Sequence, residues 1–131
     1  MEHRAADAVA PAIAATTGTK KDLEFFYNDA HYFILGSHRE GSGYALCEAM
    51  ACGCVPIVTK ISSFEKMTDN GDCFYLFDPG NAQQLKGILL NLKNDEWQMK
   101  HLKVLKKFEK DLSPEAIGNG IREICQEILQ K

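Results

Sequence analysis

The chain has 131 residues, a formal net charge of −3, 45% hydrophobic residues and 25% charged ones. That length holds one domain with a modest core, and fractions this close to the globular average exclude disordered, collagen-like and coiled-coil classes. A pI near 5.8 speaks against a nucleic-acid partner, which needs clustered positive charge. No apolar run approaches the roughly 18 residues that span a bilayer. The opening stretch from Met1 to Pro11 is too short and too weakly apolar for a secretory signal, and the expected location is cytoplasmic.

The elements alternate. Residues 5–15 fit a poor strand or, apart from Pro11, a short helix. After a turn at residues 16–19, residues 22–27 read as a short helix with Leu23, Phe26 and Tyr27 on one face. His31 to Leu35 is a run of bulky residues closed by Gly36-Ser37, the pattern of a strand buried on both faces. A polar loop leads into a helix of small residues over 43–52, stopped by Gly53. Residues 54–59 form the next strand, with Pro56 near its start. A helical turn around Phe64 and a turn at 69–72 lead into a strand at 74–77.

The remainder is helical. Asn81 caps a helix carrying Ala82, Leu85, Ile88, Leu89 and Leu92 at helical spacing. A second helix places Trp97, His101, Val104, Leu105, Phe108 and Leu112 on one stripe. Ser113-Pro114-Glu115 opens the last, whose stripe is Ile117, Ile121, Ile124, Cys125 and Ile128. Strands alternating with helices predict an α/β fold, a doubly wound, Rossmann-like parallel sheet flanked by helices.

Five cysteines, three of them within 47–54, do not form a disulfide pattern. Cys52-Gly53-Cys54 lacks the two-residue spacer of zinc knuckles, so the thiols read as small apolar residues in a reducing compartment.

The chemistry concentrates in the stretch from Glu40 to Gly53. It follows directly on a buried strand and opens a helix, where open α/β sheets hold ligands. Gly41 and Gly43 remove side chains where the backbone turns. The amides of Ser42, Gly43, Tyr44 and Ala45 then point out of the helix start and, with the helix dipole, suit a phosphate. Glu40 can reach what sits above the turn. Glu48 lies in a helix of otherwise small or apolar residues and shares a face with Tyr44, four positions earlier. Burying a carboxylate there costs several kcal/mol unless it is hydrogen-bonded, and paired sugar hydroxyls satisfy it from two donors. Spacing alone leaves a second reading open, in which Glu48 is solvated and Glu40 decorates a loop.

On these residues the chain resembles the retaining GT-B glycosyltransferases of the group 1 family (family 4), which use nucleotide-diphosphate sugars. The family signature, two glutamates separated by seven residues with glycines after the first, stands here from Glu40 to Val58. The flanks agree: residues 22–30 look like the helix before the strand, Gly36-Ser37 stands in place of the usual Pro-Ser, and residues 69–80 resemble the later turn and strand. The resemblance covers about residues 18–129. It implies that Glu40 is the catalytic-site carboxylate contacting the transferred sugar near its reacting carbon. The donor diphosphate would lie on the turn of Gly41, Ser42, Gly43, Tyr44 and Ala45, and Glu48 would bind the ribose hydroxyls. No cofactor is implied beyond the donor substrate, and no metal; Asp69-Asn70-Gly71-Asp72 is a turn sequence rather than a D-x-D motif.

A complete enzyme of this kind has two Rossmann-like domains of roughly 150–200 residues each. Residues 1–131 therefore read as a single partial donor-binding domain, with the signature region at 31–59 and the C-terminal helices at 81–131. On this reading the N-terminal acceptor domain is expected to lie outside these residues, as is the segment in which the family carries the Arg and Lys that neutralise the leaving diphosphate. His38, Arg39 and Lys60 are the nearby cations, His38 and Arg39 being the candidate site residues among them, and none matches those family positions. Leaving-group stabilisation is the main electrostatic demand of this chemistry. The expectation is the C-terminal nucleotide-sugar-binding portion of a hexosyl-transferring enzyme, inactive by itself. The alternatives are a free-standing nucleotide or phosphosugar-binding module and a non-catalytic interaction domain. Lys100, Lys103, Lys106, Lys107 and Lys110 suit an anionic membrane surface, but a solvated helix face is the plainer reading.

Overall fold

The computed structural model describes residues 13–15, 23–40, 43–72, 74–92 and 94–130. Among the described residues four short strands, β1 (Ile13–Ala15), β2 (Tyr32–Leu35), β3 (Val55–Thr59) and β4 (Tyr75–Phe77), form one all-parallel sheet in the order β1-β2-β3-β4. The connections carry α1 (Leu23–Asp29), α2 (Tyr44–Ala51) and α3 (Ser62–Met67), as parallel pairing requires, since a tight hairpin cannot return a strand in the same direction. Three further helices follow: α4 (Ala82–Leu90), α5 (Asn94–Lys107) and α6 (Pro114–Leu129).

The α/β, Rossmann-like expectation holds, and the ambiguous segment before residue 16 contributes a strand. Its pairing decides the matter: Ile13 sits opposite Tyr32, so β2 becomes an inner strand. The described strands follow one another in sequence order, without the reversal that a doubly wound sheet adds.

β3 is buried along its whole length, including Pro56, because it lies between β2 and β4 and carries apolar side chains on both faces. β2 is buried at Tyr32 and Phe33 but half-exposed at Ile34 and Leu35, where the sheet opens toward the loop that follows. The core joins these strands to Tyr27 of α1, Leu46 and Met50 of α2, Phe64 of α3 and Val104 of α5. Trp97 donates its indole N–H to the carbonyl oxygen of His31 at 2.8 Å. Its ring lies edge-on to His31 and stacked on His101, with centroids 4.6 and 4.7 Å away. His31 thus packs at the strand end.

Three helices depart from the sequence reading. In α1, Tyr27 is buried, but Phe25 and Phe26 are 63% and 54% exposed. Among the described side chains of this stretch, Tyr27 and Ala30, the residue just past the helix, are the buried ones, three positions apart on one face; the side chain of Leu23 lies outside the described residues. The stripe expected to run unbroken to Leu112 passes from α5 into a π turn over Phe108–Leu112, closed by the amide of Ser113 on the carbonyl of Phe108 at 2.8 Å. The wider turn keeps Phe108 and Leu112 against the core. In α6, Ser113 caps the amide of Ala116 as predicted, yet the isoleucine stripe is exposed to solvent.

The lysine face is divided by its partners. Lys107 pairs with Asp69 at 2.7 Å and Asp111 at 2.6 Å, and Lys100 lies 4.7 Å from the centre of the Tyr75 ring. Lys103, Lys106 and Lys110 are exposed. Among the described residues no helix is long and apolar enough to cross a membrane. Cys47, Cys52, Cys54 and Cys125 are free thiols; Cys54, fully buried, donates to the carbonyl of Tyr27 at 2.9 Å. Cys73 lies outside the described residues.

Candidate glycosyl-transfer site

The site region lies at the C-terminal edge of the sheet, where the loops after β2, β3 and β4 converge. Thr59, the last residue of β3, donates its hydroxyl to the carbonyl of Ser37 at 2.5 Å and ties the loop after β2 to the neighbouring strand. The amide of Lys60 reaches the carbonyl of Phe77 at 2.7 Å, which brings the turn after β4 alongside. The ring carbon Cε1 of His38 lies 3.7 Å from where a Cβ on Gly80 would stand, so the two loops are in contact.

Gly43 shapes the start of α2. Its φ of 65° and ψ of 27° are left-handed, a conformation that costs an L-residue about 1–2 kcal/mol. A Cβ there would also stand 2.6 Å from the sulfur of Met67. The backbone therefore requires glycine, and a side chain here would also displace the flexible end of Met67. The carbonyl of Gly43 accepts the first helical bond, from Cys47 at 2.9 Å. No described side chain caps α2, and its first turn holds no acidic residue. Its leading amides and dipole thus present positive potential where the loop opens. Gly41 and Ser42, named above as part of this turn, lie outside the described residues.

The other candidate residues distribute around that helix start. Ala45 is half-buried, Tyr44 is 73% exposed and Glu48 is exposed. Tyr44 and Glu48 share the outer face of α2, while Leu46, Ala49 and Met50 fill its inner face. Glu48 needs no compensation against burial, contrary to expectation, because the helix turns its apolar side to the core and leaves the carboxylate in water. Glu40 is half-buried, and His38 and Arg39 are exposed. Burial and the adjacent Glu48 carboxylate push the Cys47 thiol up from its ordinary value. Among the described residues no three His, Cys, Asp or Glu side chains cluster as metal ligands.

Sequence reasoning missed Met67, Thr59 and Gly80 as supports of this region. Each acts across the chain on a neighbour that no local pattern names.

Residues 11–112 match the family described as "Glycosyl transferases group 1". The chain belongs to the group 1 glycosyl transferases. Within this group 1 chain, 79 residues are 30% identical to the O-antigen chain mannosyltransferase B of Escherichia coli, over 60% of this chain and 20% of that protein. A longer stretch of 108 residues is 29% identical to an uncharacterized glycosyltransferase of Methanocaldococcus jannaschii, over 82% of this chain and 31% of the relative. The group 1 chain thus spans between a fifth and a third of the curated relatives it matches.

Proposed function

We propose that this chain is the C-terminal, donor-binding part of a retaining GT-B glycosyl transferase that moves a hexosyl unit from a nucleotide-diphosphate sugar to an acceptor. The observation that carries the reading is the left-handed Gly43 ahead of an α2 that no described side chain caps, opening at the C-terminal edge of a parallel sheet. Amides held in this way bind an anion without reorganising, which is what a departing diphosphate needs. As the bond from the anomeric carbon to the phosphate oxygen breaks, the new charge settles against the start of α2. The acceptor hydroxyl passes its proton to the departing phosphate oxygen as it bonds to the same carbon, with configuration kept. Glu40, half-buried beside the turn, would orient the sugar. Glu48, on the outer face, would take the ribose hydroxyls, so its exposure in the free chain leaves it open to them. The acceptor side of the cleft, and cations for the diphosphate, would come from a domain other than this one, and transfer by this chain alone is expected to be negligible.

Amide resonances of residues 43–46 report on this directly. Uridine, guanosine and adenosine diphosphates, free and carrying hexoses (mannose among them), are titrated against the labelled chain. One nucleotide should shift those resonances, and Glu48→Ala should weaken that binding by about 1.5–3 kcal/mol. No shift at millimolar nucleotide would refute donor binding and favour a non-catalytic interaction domain.

A further inference from the structure

The ammonium of Lys107 lies 2.7 Å from Asp69 and 2.6 Å from Asp111, and its side chain is 9% exposed. The two carboxylates belong to different segments, and both segments run against α2. Asp69 stands two residues past Met67, whose sulfur lies 2.6 Å from where a Cβ on Gly43 would stand. Asp111 stands one residue before Leu112, whose carbonyl faces the thiol of Cys47 at 4.0 Å. Gly43 and Cys47 are in turn the two partners of the first hydrogen bond of α2. We propose that Lys107 is a positioning residue: by joining Asp69 to Asp111 it holds Met67 and Leu112 against the two ends of the first turn of α2, and so fixes the amides which that turn presents to a donor.

Each branch of this link needs a tie. Asp69 and Asn70 have φ of 48° and 58°, two successive L-residues in a left-handed conformation that side-chain-bearing residues visit as single positions. Such a turn persists only where its surroundings fix it. Thr68 anchors one side of it. Fully buried, Thr68 donates its hydroxyl to the carbonyl of Phe64 at 2.6 Å, and its own carbonyl accepts from the amide of Gly71 at 3.0 Å. On the other side the tie is the ion pair from Asp69 to Lys107. The second branch is the π turn over Phe108–Leu112, a rare geometry that widens the helix at its end. Lys107 precedes that turn and binds Asp111 inside it, so one cation spans the irregular stretch. With the ammonium shielded from bulk water, salt screens these pairs less than it screens pairs on the open surface.

The link itself rests on these contacts; its bearing on a donor rests on the reading under Proposed function. Lys107 acts through Met67 and Leu112 and is not a catalytic residue.

Lys107→Met keeps an unbranched stem and removes the charge. In the whole chain, hydrogen exchange of the Cys47 amide, followed by NMR, should quicken by about 3- to 30-fold, while the amides of β3 quicken less. Affinity for the nucleoside diphosphate that shifts residues 43–46 should fall by a similar factor. Lys107→Arg, which offers both carboxylates a charged donor, should restore both readouts. Asp69→Asn should produce part of the change in the wild-type background and none in Lys107→Met, where its partner is already gone. If Lys107→Met does not fold, Asp69→Asn alone decides by the same comparison, since Asp69 is exposed.

Equal quickening at Cys47 and in β3 would make Lys107 a support of the whole fold and overturn the proposal. So would an Asp69→Asn effect that persists in full without Lys107, or a nucleotide affinity that Lys107→Met leaves unchanged. Should no nucleotide bind the wild-type chain, the donor reading falls, while the exchange measurements still decide whether Lys107 holds the start of α2.

Discussion

His101 Nδ1 lies 2.7 Å from the carbonyl oxygen of Gly53, and the imidazole fills the space that a side chain at position 53 would take. The contact joins α5 to the end of α2, while the same imidazole stacks on Trp97. Gly53 has a φ of 78°, so the position excludes other residues through backbone and neighbour together.

Gly53→Ala should therefore destabilise the chain by about 2–3 kcal/mol, combining left-handed strain with displacement of the ring. Urea unfolding followed by fluorescence of Trp97, the single tryptophan, measures it. Unchanged stability would mean that His101 does not occupy that space in solution.

Gly43→Ala should cost about 1–2 kcal/mol from backbone strain, plus the contact with Met67. In a Met67→Ala background the second part should vanish. A double-mutant cycle then shows a coupling of about 0.5–2 kcal/mol between the two positions. Purely additive effects would contradict the packing of the thioether under the turn.

The Asp69–Lys107–Asp111 cluster makes stability depend on pH at both ends. For Lys107, burial lowers the pKa, but hydrogen bonds to Asp111 and Asp69 outweigh it and leave the value above 10.5. For Asp111, the hydrogen bond from Lys107 leads and holds the carboxyl below 3.8. A raised lysine stabilises the fold below its ordinary value and loses that contribution as pH rises past it. A lowered aspartate stabilises above its ordinary value and loses that contribution as pH falls through its folded value. Thermal melting should thus fall off above about pH 10.5 and below about pH 4, and Lys107→Met should flatten both flanks.

Tyr32 is fully buried and its hydroxyl has no hydrogen-bond partner among the described residues. Burial first, then the neighbouring Tyr75 and Glu96, push its pKa up to about 12. The neutral ring therefore favours the folded state up to pH 10 and loses that advantage between pH 10 and about 12. Tyr32→Phe removes an unpaired polar atom and should leave stability unchanged or raise it by about 1 kcal/mol. A loss on denaturant titration would instead reveal a partner for the hydroxyl.

Local signals carried much of the reading. Asn81 and Ser113 cap their helices because a side-chain acceptor three residues ahead of an open amide works within one turn. Gly53 ends α2 for an equally local reason. The apolar run from Tyr32 and the alternation with helices were enough for a parallel sheet, and the glycine-rich turn after it pointed to the C-terminal edge. The strand at Ile13 was not legible, because alanines there suit either state and pairing with Tyr32 decides.

By itself, then, the chain's chemistry determined its class and its element order, since capping, turn geometry and apolar period act over a few residues. Which face of each helix meets water was settled only by assembly. Glu48 and Tyr44 look outward, Phe26 is exposed, and the isoleucines of α6 lie open. Periodicity places residues on a common face, but what lies against that face comes from parts of the chain as distant as the 48 positions between Gly53 and His101.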